Sequence, residues 1–113
     1  MKIAFFGTPA FAVPSLAQLV AAGEQIVMAI TRPDRPQGRG HRVQPSPLKT
    51  AALGYRIPVL QPERVGDPVF ATALASSGAD LGVVAAYGKI LPDPILRTPR
   101  HGTINVHASL LPR

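Results

Sequence analysis

Asn105 and His107 stand one residue apart near the carboxyl end of the 113-residue chain. On an extended strand that spacing puts both side chains on one face. A histidine so placed can act as general acid or base near neutral pH, or donate to a developing oxyanion. An asparagine amide can hold the same oxyanion without changing its own protonation. Taken alone, an N-x-H pair is more often a hydrogen-bonded strand end with no chemistry. The other polar constellations are weaker. His41, His101 and His107 lack ligand spacing, and there is neither an H-E-x-x-H run nor a cysteine, so no metal is expected. Ser109 is close to His107, but no G-x-S-x-G elbow surrounds it, and no acid lies within ten residues of His107. His101 reads as a surface turn residue and His41 as part of a basic loop.

That loop is the second chemical feature. Between Arg32 and Lys49 the chain carries Arg32, Arg35, Arg39, Arg42 and Lys49 against Asp34 alone, so most of the net charge of +6 falls there. A local basic cluster on a near-neutral body suggests contact with a polyanion such as nucleic acid or phosphate; a solvated loop is the bland alternative. Composition adds bounds. Hydrophobic residues make up 46% and charged residues 16%, which fits one globular domain. Without cysteine no disulfide is possible, and a cytoplasmic location is the natural reading. No run approaches the roughly 20 apolar residues needed to cross a bilayer, and no signal peptide is assigned.

The elements that must position these residues alternate between strand and helix. Lys2 to Phe6 is an apolar run consistent with a buried parallel strand, and Gly7 is assigned to a tight turn after it. Thr8-Pro9 offers an N-cap and a first helical position. Pro14 predicts either a kink or a helix that properly begins there, and Gly23 the stop. Gln25 to Thr31 reads as a second strand, closing a right-handed βαβ unit. Arg32 to Pro47, with Pro33, Pro36, Pro45 and Pro47, reads as a long irregular loop. Ser46-Pro47 caps a helix running to Leu53 and stopped at Gly54. Ile57 to Leu60 is a short third strand, Pro68 to Ser77 a helix and Asp80 to Ala85 a fourth strand. A short helix over Pro92 to Leu96 and a fifth strand over Thr103 to His107 complete the chain. The pattern implies an α/β fold: a Rossmann-like open, mostly parallel sheet with flanking helices and strand order 3-2-1-4-5. Ligands then bind beyond the carboxyl ends of the strands, so Gly7-Thr8, Ala86-Tyr87-Gly88 and Asn105-Val106-His107 should converge on one crevice. The first turn is G-T-P-A-F rather than G-x-G-x-x-G, which argues against a dinucleotide.

GTPAFAVPSL (7–16), TRPDRPQGRG (31–40), PSPLK (45–49), AYGKILP (86–92) and INVHASLLPR (104–113) follow one another in this order. Together they resemble the successive signatures of the methionyl-tRNA formyltransferase family over essentially the whole chain. The last two are shared with other enzymes that use 10-formyltetrahydrofolate, whereas the PDRP-x-GRG loop followed by PSP-x-K singles out the tRNA enzymes. The resemblance implies transfer of a formyl group from 10-formyltetrahydrofolate, as co-substrate, to the α-amino group of methionyl initiator tRNA. It implies that Asn105 and His107 are the catalytic pair and that Ser109, Leu110, Leu111 and Pro112 contact the folate. Ala86, Tyr87, Gly88, Ile90 and Leu91 would line the pterin pocket, and Arg35, Arg39 and Arg42 would meet the tRNA acceptor end, Arg39 first.

The family's third catalytic residue, an aspartate, lies downstream of SLLPR. None of Glu24, Asp34, Glu63, Asp67, Asp80 and Asp93 matches it. Residues 1–113 are therefore expected to be the amino-terminal portion of one formyltransferase catalytic domain, incomplete at the carboxyl end. The carboxyl-terminal tRNA-binding domain would be absent, the fifth strand would form an uncovered apolar edge and the chain alone would be inactive. The full-length protein is expected to be a monomer without membrane association. Two alternatives stay open: a formyl-folate enzyme acting on an amino sugar or nucleotide, against which the PDRP-x-GRG loop argues, and a binding module that turns nothing over.

Overall fold

The computed structural model describes residues 1–37 and 42–106. The apolar run at the amino terminus becomes β1 (Lys2–Gly7), flanked by β2 (Gln25–Ile30) on one side and β6 (Leu81–Ala85) on the other. A short β5 (Val59–Leu60) extends the sheet beyond β2, and β7 (Thr103–Asn105) extends it beyond β6. All four pairings are parallel, and the order is β5-β2-β1-β6-β7. This is the expected order, third-second-first-fourth-fifth, once two small strands outside the sheet are set aside.

Burial on both faces explains why β1 shows no polar alternation. Ile3 and Phe5 face a core layer with Leu16 of α1 (Val13–Ala21) and with Leu48 and Ala52 of α2 (Pro47–Gly54). Ala4 and Phe6 face the opposite layer, with Phe70 and Leu74 of α3 (Pro68–Ser76) and Ile95 of α4 (Asp93–Arg97). The result is helices packed on both faces of a parallel sheet.

Several local expectations are corrected. Thr8 caps no helix: residues Ala10–Ala12 form a 3-10 turn and α1 starts at Val13, with Pro14 in its first turn, where a missing N–H is harmless. Gly7 has no left-handed φ; its reason is close approach, since a Cβ there would lie 3.0 Å from Ala12 Cβ and 3.1 Å from the Ala85 carbonyl. Gly23 does stop α1, with φ of 84° and bonds from Gly23 N to Val20 O and from Glu24 N to Leu19 O, the Schellman pattern. At the end of α2 the left-handed position falls on Arg56 (φ 60°) rather than on Gly54. Ser46 caps α2 as expected, accepting from Lys49 N at 3.0 Å. The stretch read as an irregular loop contains an antiparallel pair, β3 (Arg35–Gln37) with β4 (Arg42–Gln44).

Candidate active site

Beyond β1 and β6 the chain is turned outward by two residues with positive φ, Ala86 at 57° and Gly88 at 95°. For alanine this conformation is strained, and such strain persists only where the surroundings enforce it. Here the enforcing contacts are visible. The Tyr87 ring is buried against Phe6, with centroids 5.6 Å apart and planes at 79°, and it anchors the turn in the core. The buried Thr8 hydroxyl donates to the Tyr87 carbonyl at 2.8 Å, tying the end of β1 to the turn after β6. Burial also pushes the Tyr87 phenol up to about 12, and its hydroxyl has no hydrogen-bond partner among the described residues.

These constraints hold open a crevice of about 400 Å³ lined by Phe11, Val84, Ala86, Tyr87, Gly88, Lys89, Ile90, Asn105 and Val106. That volume falls in the range of roughly 300–1,000 Å³ typical of small-molecule sites. A second hollow of about 460 Å³, lined in part by Leu91, Leu96 and Thr103, shares Val84, Lys89, Ile90 and Asn105 with the first. Asn105 thus stands where the two hollows meet, opposite Val84 in the β6–β7 ladder. Its exposed amide makes no hydrogen bond among the described residues, leaving an uncharged donor at the sheet's carboxyl end. The amides of Gly88, Lys89 and Ile90 likewise donate to no partner among the described residues. The crevice can therefore take a small, largely apolar ligand whose polar groups meet the Asn105 amide and the backbone.

Two of the three segments expected to converge meet at the crevice, residues 86–88 and 105–106; Gly7 and Thr8 do not line it, and Thr8 serves as a tie instead. Of the predicted pocket residues, Ala86, Tyr87, Gly88 and Ile90 line the first hollow, and Leu91 lines the second with Ile90. Tyr87 turns its ring into the core, so only its main chain faces the crevice. His107, Ser109, Leu110, Leu111, Pro112 and Arg39 lie outside the described residues. Three residues of the first hollow, Phe11, Val84 and Lys89, were not named from sequence. Phe11, 54% exposed, walls the crevice because the 3-10 turn rotates it off the buried face. Lys89 reaches across to donate to the Glu63 carbonyl at 2.6 Å. A large apolar residue two positions after the G-T-P turn was the available signal for Phe11; Lys89 lies within the AYGKILP stretch, but nothing local marks its reach to Glu63.

The basic segment forms a hairpin beside this site. Arg42 pairs with Gln37 in register and Arg35 lies two residues before Gln37, so Arg35 and Arg42 project from the same face. Both are exposed, and neither meets a carboxylate among the described residues. The hairpin base is tied down by a buried bond between the Thr31 and Ser46 hydroxyls at 2.6 Å. Leu48 N donates to the Thr8 carbonyl at 3.3 Å, so the start of α2 and the crevice turn share Thr8.

An open parallel sheet with a ligand crevice at the point where strand order reverses defines a broad class of α/β proteins. Within it the family is settled by comparison: the formyl transferase model matches residues 1–113, and the chain belongs to that family. It is 52% identical over 113 residues to a methionyl-tRNA formyltransferase of Nitrosomonas eutropha and 49% to one of Geobacter metallireducens. In both alignments the chain spans 36% of the relative's length. Among solved structures it resembles phosphoribosylglycinamide formyltransferase from Bacillus halodurans, with a TM-score of 0.69 at 20% identity, covering 99% of this chain and 58% of that one. It also resembles glycinamide ribonucleotide transformylase 1 from Geobacillus kaustophilus, with a TM-score of 0.66 at 14% identity, covering 99% and 62%. Those two likenesses concern the fold. No described helix is long and apolar enough to cross a membrane.

Proposed function

We propose that residues 1–113 are the amino-terminal portion of the catalytic domain of an enzyme that moves a formyl group from 10-formyltetrahydrofolate to the α-amino group of methionyl initiator tRNA. The observation that carries this reading is the pairing of the apolar crevice with a basic hairpin that leads into α2, whose start is tied to the crevice turn through Thr8, in a chain half identical to methionyl-tRNA formyltransferases. A crevice alone suits any formyl-folate enzyme; the hairpin supplies a surface for a polyanionic acceptor.

In this reading the free amides of residues 88–90 and the apolar walls of Phe11, Ile90 and Val106 hold the folate ring system, with Leu91 and the Ser109–Pro112 stretch completing the contact. Asn105 donates its amide to the oxyanion that forms as the amine adds to the formyl carbon, and does so without a protonation step. His107, two residues on, shares that stabilisation and passes the proton released by the amine to N10 of the folate, whose bond to the formyl carbon breaks as tetrahydrofolate leaves. Arg35, Arg39 and Arg42 neutralise acceptor-stem phosphates. The activity places the protein in the cytoplasm, in translation initiation, and the complete protein works as a monomer.

The test is formyl transfer to methionyl initiator tRNA by the complete protein, set beside its Asn105→Ala and His107→Ala forms. Loss of one oxyanion donor is expected to lower kcat about 10²–10³-fold. Full activity in both variants would remove the catalytic assignment. An inactive wild type that still binds RNA in a salt-dependent manner would favour a binding module.

A further inference from the structure

Asp34 is the single acid in the basic stretch from Arg32 to Lys49, and it is not free. Its Oδ2 accepts from Lys49 Nζ at 2.8 Å and its Oδ1 from Gln61 Nε2 at 2.7 Å, while Gln61 Nε2 also donates to the Arg32 carbonyl at 3.2 Å. The three side chains come from different places: the segment leaving β2, the first turn of α2 and the residue just after β5. Both carboxylate oxygens and one main-chain carbonyl are thus committed to fixing the strand that enters the hairpin, directly before Arg35. On the return side, Ser46 is fixed by Thr31 and caps the helix that carries Lys49.

A segment shaped only to attract a polyanion would gain from having no acid at this position. As a source of stability the junction is also weak, because partly exposed ion pairs contribute little. What two oxygens held by two elements do provide is direction. From this geometry we infer that the Asp34–Lys49–Gln61 junction is a positioning device for RNA: it fixes the face that carries Arg35 and Arg42 relative to the crevice, so that phosphate contacts and the reacting amine are met together. The inference rests on the proposed role of the hairpin in tRNA contact.

The sign of one substitution separates positioning from plain electrostatics. Asp34→Asn makes the hairpin more positive, so attraction alone would tighten RNA binding. Positioning requires the opposite. In the complete protein, Asp34→Asn and Lys49→Met are each expected to raise the KM for methionyl initiator tRNA about tenfold, on the scale of one or two lost phosphate contacts. The KM for 10-formyltetrahydrofolate and the unfolding midpoint should stay close to wild type. The exchange Asp34→Lys with Lys49→Asp should recover most of the loss. Arg42→Ala, run in parallel, reports on the hairpin itself. If Arg42→Ala weakens tRNA binding while Asp34→Asn leaves it unchanged or tighter, the junction has no positioning role and the hairpin reading stands. If neither variant changes tRNA binding, both ideas fall. Equal losses for tRNA and folate would mark a general structural defect and overturn the inference.

Discussion

The crevice and the hairpin lie at the same end of the sheet but are held by opposite means. Around the crevice the backbone is fixed by burial: the Tyr87 ring against Phe6, the Thr8 hydroxyl on the Tyr87 carbonyl, and Ala86 forced to a φ of 57°. Among the described residues of the hairpin, 35, 36 and 42–44 are all exposed, and its base is held by polar side chains from neighbouring elements. A small ligand is best met by a preformed wall, because every loop left to order on binding weakens association. Polyanion binding is dominated by long-range charge, which tolerates a lighter frame provided its direction is set. Crevice substitutions should therefore appear first as stability, and hairpin substitutions first as RNA affinity.

The sharpest break of the crevice is Phe6→Ala, which removes the ring supporting both Phe70 and Tyr87 and should destabilise by about 3–5 kcal/mol. Urea unfolding of the complete protein measures it, and a loss under 1 kcal/mol would mean the turn does not depend on that packing. Next comes Gly82→Ala. The new Cβ would sit 2.6 Å from Thr103 Oγ1, which is itself bonded to the Leu96 carbonyl at 2.8 Å, so β7 must shift. The expected loss is about 1–3 kcal/mol, with Asn105 displaced and kcat reduced in step.

Ala86→Val should be of similar or smaller size, about 1–3 kcal/mol, since a β-branched residue fits positive φ poorly, and Ala86→Gly should be tolerated. If valine is as stable as glycine there, the turn is not held as described. On the hairpin, Arg42→Ala should leave unfolding within about 0.5 kcal/mol. It should also lower the slope of log affinity against log salt for RNA by about one. A stability loss with no change in salt slope would reverse the comparison. The mildest effect is one of pH. The Tyr87 phenol is raised by burial from 10.0 to about 12, so its share of stability is complete below pH 10.0 and is lost as pH rises toward 12. Tyr87→Phe should remove that alkaline component, and an unchanged alkaline profile would place the ring in water.

Asn105 was legible because a period of two and a carboxyl-end position follow from strand geometry alone. Phe11 and Lys89 were not, because a one-turn 3-10 segment and a lysine stem leave no periodic trace. The Ser46 cap of α2 was read correctly, since the S-P pair is a local signal. The Thr8 cap was wrong, because its hydroxyl is used by a carbonyl 79 positions away. The helix stop expected at Gly54 is where α2 ends, while the left-handed position that follows falls on Arg56, which no local signal marks.

Sequence by itself determined the alternation of elements, the order of the strands, the polar strand end at Asn105 and the basic segment. The alternation, the strand end and the basic segment depend on composition or on spacing within one element, and the order follows from that alternation through the connection rules of α/β sheets. Only the tertiary structure decided that Tyr87 faces the core while its main chain faces the crevice, that the proline-rich loop pairs into a hairpin, and that Asp34 is shared by Lys49 and Gln61. Those outcomes depend on which separated groups meet in space, from hairpin partners such as Arg42 and Gln37 to the Thr8 hydroxyl and the Tyr87 carbonyl, and such pairwise meetings leave no mark on local sequence.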